Sequence, residues 1–175
     1  MTGTGVAAHA AALRRDFDQA FAKAARVDAT AREDLLAIRV GAQPYAIRLS
    51  EIAGLFAGKT ITRVPGGAAA LRGIAGFRGA LLPVYDLSAL LGHGGAEAPR
   101  WLVIAAAAPV ALAFETFKGQ LRVAPDDILP PAPRPDLPSH TRGVVQTKNF
   151  VGPILHLAAA LGVLKANEPA ASEEQ

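Results

Sequence analysis

The chain has no cysteine, one tryptophan, two tyrosines and no apolar run long enough to cross a bilayer. The first absence excludes disulfides and thiolate-held metal, and it suits a reducing compartment. The longest apolar stretch, Trp101 to Phe114, carries Pro109 and falls short of the roughly 20 residues that a spanning helix needs. The first residues lack the basic-then-apolar pattern of a secretory signal. The expectation is a cytoplasmic protein with no direct membrane insertion.

What is present suits a packed domain. Apolar residues make up 51% and charged residues 19% of the 175, so the chain can bury a core. The length fits one ordinary domain, or two very small ones fused over a shared core.

Charge is unevenly spread. Residues 1–34 hold five basic and five acidic side chains, and the segment 166–175 holds three acids and no base. The stretch 35–165 has thirteen Lys and Arg against seven Asp and Glu, an excess of +6. Such an excess attracts phosphate backbones or acidic protein surfaces. Yet Arg39, Arg48, Lys59, Arg63, Arg72 and Arg78 are scattered, and aromatic residues for base stacking are only 6%. A small basic β-barrel that binds nucleic acid is the third choice, and no nucleic-acid partner is expected.

Catalytic and metal-binding patterns are missing. His9, His93, His140 and His156 have no partner at metal-ligand spacing. His9 lies in an Ala-rich helical stretch, but one helix does not build the bundle of a phosphorelay site. No nucleophile elbow occurs, and Gly66-Gly67 lacks the lysine of a phosphate-cradling loop. Asp126-Asp127 fits a turn or cap, and Glu115 could pair with a nearby base. No enzyme, metal or cofactor is expected.

The first thirty residues read as an amphipathic helix, with Leu13, Phe17, Ala20, Phe21 and Ala24 at helical spacing. Its apolar stripe docks on its own domain, the reading preferred here, or on a partner or second copy. From Leu35 the period changes to two. "LLAIRVG" and "PYAIRLS" form a hairpin over Gly41 to Pro44, and "TITRV" is another short strand. "GGAAALRG" holds one helical turn, and "IAGF" and "ALLPVYDL" are strands around Arg78-Gly79. Pro83 marks an edge, a bulge or a strand start. "DLSALLG" is a short helix with Asp86 as N-cap and Gly92 as stop. "RWLVIAAAA" and "VALAFETF" make a second hairpin around Pro109, "GQLRV" a further strand, and Ile128 to Pro138 an extended loop. "RGVVQTKNFVGPILHL" gives two last strands and "LAAALG" a terminal helical turn. Many short strands with few helices predict a mainly β fold of small barrels. A weak internal repeat pairs "RGALLPVYDLSALLG" with "RGVVQTKNFVGPILHLAAALG".

"YAIRL", "EIAGL", "ITRVP", "LRGIAGFRG" and "LLPVYDLSALLG" follow one another in an order that resembles the CheW family, the adaptor domains of bacterial chemotaxis. "RGVVQTKNFVGPILHL" resembles that domain's closing segment, so the likeness covers about 35–164. It implies two SH3-like five-stranded β-barrels around a common core, over 34–165. An N-terminal helix and linker (1–33) precede them, and a short C-terminal helix and disordered tail (166–175) end the chain. It also implies the function. The domain would couple the cytoplasmic tip of methyl-accepting chemoreceptors to the regulatory domain of a CheA-type histidine kinase, in receptor arrays.

Carried over residue by residue, the resemblance gives Leu49, Ile52, Gly73 and Arg78 as contacts to receptor or kinase. By the same resemblance Gly73 and Gly79 permit the tight backbone at either end of "IAGFR", and Arg78 stands at the corner. Pro83 and Asp86 end the strand and start the helix. Plainer roles stay open: Leu49 and Ile52 as core, Gly73 as a turn, Arg78 as an internal salt bridge. The chain departs from the family at Gly54, where an acidic residue is common, at Glu115 for Asp, and at His156 for Asp or Asn. A second reading is therefore a divergent relative that keeps one partner, or that self-associates through its N-terminal helix.

Overall fold

A computed structural model describes residues 32–65, 69–95, 98–131 and 140–166. The helix expected over the first thirty residues and the tail after 166 lie outside the described residues. Among those described, eleven strands form two sheets. In chain order they are β1 (Glu33–Val40), β2 (Gln43–Arg48), β3 (Ile52–Ala57), β4 (Leu71–Phe77) and β5 (Ala80–Asp86), then helix α1 (Leu87–Leu90). There follow β6 (Trp101–Ala105), β7 (Ala111–Phe114), β8 (Thr116–Val123), β9 (Ile128–Leu129), β10 (Thr141–Gln146), β11 (Val151–Leu155) and helix α2 (Leu157–Ala166). One sheet has the order β8-β1-β2-β11-β10-β9 and the other β3-β6-β7-β5-β4. The fold is mainly β, as expected, although one of the sheets has six strands.

Alternation along the two central hairpins explains how the sheets share a core. In β1 and β2, Leu36, Ile38, Val40, Tyr45 and Ile47 face a common cluster. Between them, Leu35 and Ala46 face a private cluster with Val123, Val145 and Ile154. The hairpin of β6 and β7 repeats this. Val103, Ala105, Leu112 and Phe114 enter the common cluster, whereas Leu102, Ala111 and Ala113 pack with Ala75, Phe77 and Val84. Strand side chains alternate faces with period two, so a hairpin with apolar residues on both faces is buried on both sides. Leu87 and Leu91 around α1, and Leu157 and Leu161 of α2, close the ends of the common cluster.

The edges of the five-stranded sheet meet. Phe56 of β3 and Phe77 of β4 stack edge to face with ring centroids 5.0 Å apart. The ammonium of Lys59 lies 5.6 Å and 5.7 Å from the two ring centres, a cation–π cover over the seam.

The internal repeat is real but shifted. Backbone N–H of Asp86 donates to the Ala70 carbonyl at 2.8 Å, and that of His156 donates to the His140 carbonyl at 2.8 Å. Bulges fall between Leu71 and Gly73 on one side and between Thr141 and Gly143 on the other. Arg142-Gly143 is therefore the counterpart of Arg72-Gly73, not of Arg78-Gly79, and His156 is the counterpart of Asp86.

Several local expectations are corrected. "TITRV" contributes one bridge, Thr62 to Ile74, and Leu71 to Gly73 belong to β4, not to a helical turn. "EIAGL" holds a full strand, β3. "VALAFETF" is broken at Glu115, where the chain leaves one sheet for the other. The Glu115 carboxylate accepts the Gly41 N–H at 3.1 Å, which fixes the first hairpin. Ile128 and Leu129 do join a ladder, at the outer edge beside β10. The terminal helical turn is a helix of ten residues.

Candidate functional site

Two clusters hold the residues carried over from the family. The first is where the chain crosses from one sheet to the other. After β2 a 3-10 turn, Leu49–Glu51, redirects the backbone into β3. Leu49 and Ile52 are half-buried there, each leaning on the common core. With Leu36, Leu55 and Phe117 they also wall a groove of about 350 Å³. The groove lies between β3 and β8, which are edge strands of the two different sheets. Core and surface are thus not alternatives for Leu49 and Ile52, since one side of each serves each role. Leu55 and Phe117 were missed in the sequence. A period-two reading of "IAGLF" puts Leu55 on the face opposite Ile52; the bulge between Ile52 and Gly54 brings the two to one groove.

The second cluster is the hairpin of β4 and β5. Its turn is Arg78-Gly79, with φ of +47° and +88°, between the paired Phe77 and Ala80. Both residues are left-handed, which is the geometry of a type I′ turn and favours Gly at the second place. Arg78 is exposed, and no carboxylate among the described residues pairs with it. Gly73 is buried inside β4 at the bulge, with φ +143°. A Cβ there would lie 2.0 Å from the carbonyl oxygen of Thr62. The residue is glycine because another backbone passes directly over it, and it forms no turn.

The internal salt bridge belongs to the neighbouring arginine. The Arg72 guanidinium bonds the Asp86 carboxylate, whose other oxygen accepts N–H groups of Ser88 at 2.9 Å and Ala89 at 3.2 Å. Asp86 thereby caps α1 and is neutralised at once, which lets a carboxylate sit in the core at 3% exposure. Pro83 lies within β5, at the last residue before the parallel ladder with β7 begins at Val84, where one side of the strand is still unpaired. It does not end the strand.

No group of three or more His, Cys, Asp or Glu suited to a metal occurs among the described residues. His93 is committed to Tyr45, whose hydroxyl lies 2.5 Å from Nε2, and burial raises the Tyr45 pKa above its ordinary value. His140 is buried, and desolvation lowers its pKa. Asp127 accepts the Ala124 N–H at 3.2 Å, so this aspartate serves a turn. No described helix is long and apolar enough to cross a membrane.

Comparison with known proteins agrees with this geometry. Residues 34–168 match the CheW-like domain. Among solved structures the fold is similar to the scaffolding protein TtCheW from Thermoanaerobacter tengcongensis, with a TM-score of 0.65 and 18% identity. That match covers 71% of this chain and 89% of the other. No curated protein matches the sequence significantly. Two interleaved sheets around one core, the Pro-Val-x-Asp-Leu step into α1 and a family match over most of the length place the chain in the CheW-like domain family, the adaptor domains of bacterial chemotaxis.

Proposed function

We infer that the protein is a non-enzymatic adaptor that binds the cytoplasmic tip of a methyl-accepting chemoreceptor and the regulatory domain of a CheA-type histidine kinase, and so joins a receptor array. The observation that carries this reading is the groove between β3 and β8. Leu49 and Ile52, two positions matching family contacts, form one wall of it beside Leu36, Leu55 and Phe117. A narrow apolar cleft between two sheet edges suits the apolar ridge of a partner helix. Gly54, which also lines the groove, keeps that surface free of the acidic side chain common in the family. A Cβ at this position would lie 2.8 Å from the Phe56 ring. The exposed Arg78 at the β4–β5 turn supplies a fork for a partner carboxylate. Gly73, buried under Thr62, acts on binding through the shape of that hairpin.

Titration calorimetry against the receptor tip and the kinase regulatory domain, each separately, tests the reading. Binding to both is expected. Binding to one alone favours the divergent relative that keeps a single partner, and binding to neither overturns the adaptor reading.

A further inference from the structure

The private cluster of the six-stranded sheet continues into an open pocket. Leu121 of β8 and Phe150, in the turn before β11, are partly buried against that cluster. With Ala37, Ala42 and Pro44 they line a space of about 480 Å³. Ala37 is buried beneath it, whereas Ala42 and Pro44 are exposed at the hairpin of β1 and β2. Leu36, the neighbour of Ala37, walls the β3–β8 groove, so this pocket lies on the opposite face of β1.

The charged side chains that line the pocket are Arg39 and Lys118, with no Asp or Glu among them. Arg39 stands opposite Thr116 in the ladder of β1 and β8 and reaches its hydroxyl only at 3.5 Å. Lys118 is the extra residue of the bulge, between the paired Phe117 and Gly119, roughly 7 Å along the strand from Thr116. Lys148 is exposed in the adjoining turn, next to Asn149 of the lining. The carboxylate nearest in sequence, Glu115, accepts the Gly41 N–H at 3.1 Å and forms no ion pair with these cations. Glu33, Asp34 and Asp86 are paired with Arg48, Arg122 and Arg72. Three cations against one carboxylate leave a local excess of +2. Like charges on neighbouring strands repel, and an anion brought from outside relieves them.

We propose that this pocket docks an acidic segment of a partner protein, one in which an apolar side chain lies between carboxylates. The apolar side chain rests on Phe150, Leu121 and Pro44, and the carboxylates meet Arg39 and Lys118. A phosphate backbone has no apolar group to place on those walls. Phe150 is the single aromatic residue of the lining, too few for a base-stacking platform. The site stands whether or not the β3–β8 groove binds a receptor or kinase.

The test is an amide chemical-shift titration of the full chain with the capped pentapeptide Glu-Glu-Leu-Glu-Glu. The amides of Lys118, Gly119, Asn149 and Phe150 should shift, and binding should weaken as salt rises. Glu-Glu-Ser-Glu-Glu, which lacks the apolar group, should bind about fivefold more weakly. Lys118→Glu changes an exposed side chain and replaces attraction by repulsion. It should weaken binding about tenfold and leave the thermal midpoint unchanged. Ala42→Glu, which supplies a carboxylate at the rim from the chain itself, should weaken binding as well. Absence of these shifts, equal binding of the two peptides, or undiminished binding by either variant would overturn the proposal. Tighter binding of a thymidine hexanucleotide would overturn it in favour of phosphate. Movement of the same amides on dilution of the protein alone would make a second copy the occupant. Movement without peptide when Glu168, Glu173 and Glu174 are all changed to Gln would make the chain's own acids the occupant.

Discussion

The Glu51 carboxylate accepts the N–H of Leu157, across 106 residues of chain, at 2.7 Å. The same residue's carbonyl accepts the Ala106 N–H at 2.9 Å. One residue in the crossover between the sheets therefore holds the start of α2 and the end of β6. Glu51→Ala should cost about 1–2 kcal/mol, a lost cap on a partly buried amide, whereas Glu51→Gln, which retains an acceptor, should cost less. Urea titration of the two variants checks this.

Arg72→Ala leaves the Asp86 carboxylate in the core without its guanidinium. A loss of about 3 kcal/mol is expected, well above the effect of Arg78→Ala, which removes an exposed side chain with no ion pair among the described residues. Chemical denaturation of both, compared with the parent, orders the two arginines.

Gly73 and Gly79 of the β4–β5 hairpin should respond very differently to alanine. Gly73→Ala drives a methyl into the Thr62 carbonyl, and a loss above about 4 kcal/mol is expected, of the class that abolishes folding. Gly79→Ala meets no atom within 4 Å and should cost about 1 kcal/mol, from backbone conformation alone. Soluble yield and thermal midpoint separate them. Lost partner binding in a Gly73 variant then reports the hairpin's collapse.

Burial holds the His140 pKa below its ordinary value. Above about pH 6.5 the residue is neutral in both folded and unfolded chains, and it contributes its full stability. Below that value the unfolded chain takes up a proton that the folded chain resists. Stability is therefore lost as the pH falls, until the folded pKa is passed. Thermal midpoints between pH 7.5 and pH 5 (a window of about two to three units around the reference value) should fall less steeply in His140→Gln than in the parent.

In the groove, Ile52→Ala should weaken binding of the partner that seats there by about tenfold. Ile52 is also half in the core, so its thermal midpoint must be read beside the affinity. Calorimetry at a temperature where the variant is fully folded keeps the two effects apart.

Residue pattern announced the strands whose two faces differ in kind, and it misled where the chain bends. The Gly41 hairpin and the Asp86 cap could be read directly, because each depends on residues only a few places apart. β3 was hidden by Gly54, and the sheet change at Glu115 was invisible because no glycine or proline marks a turn between Phe114 and Phe117. The repeat was sensed but set in the wrong register, since two Arg-Gly pairs compete and only the bulge distinguishes them. The groove was only half legible. Leu49 and Ile52 came from a motif, while Phe117 arrives from a strand that is far away in sequence. Glu51 and Leu157 could not have been paired by any local rule.

The order of the strands has a consequence for how the molecule is made. β1 and β2 leave the ribosome first, but their neighbours β8 and β11 come only after the whole five-stranded sheet has been inserted between them. Until then a hairpin apolar on both faces has neither of its flanking strands. Contacts so distant in sequence slow folding and prolong exposure of unpaired edges. The first half of the chain must therefore wait for the last, and a truncated or stalled product would present its stickiest hairpin to the cell.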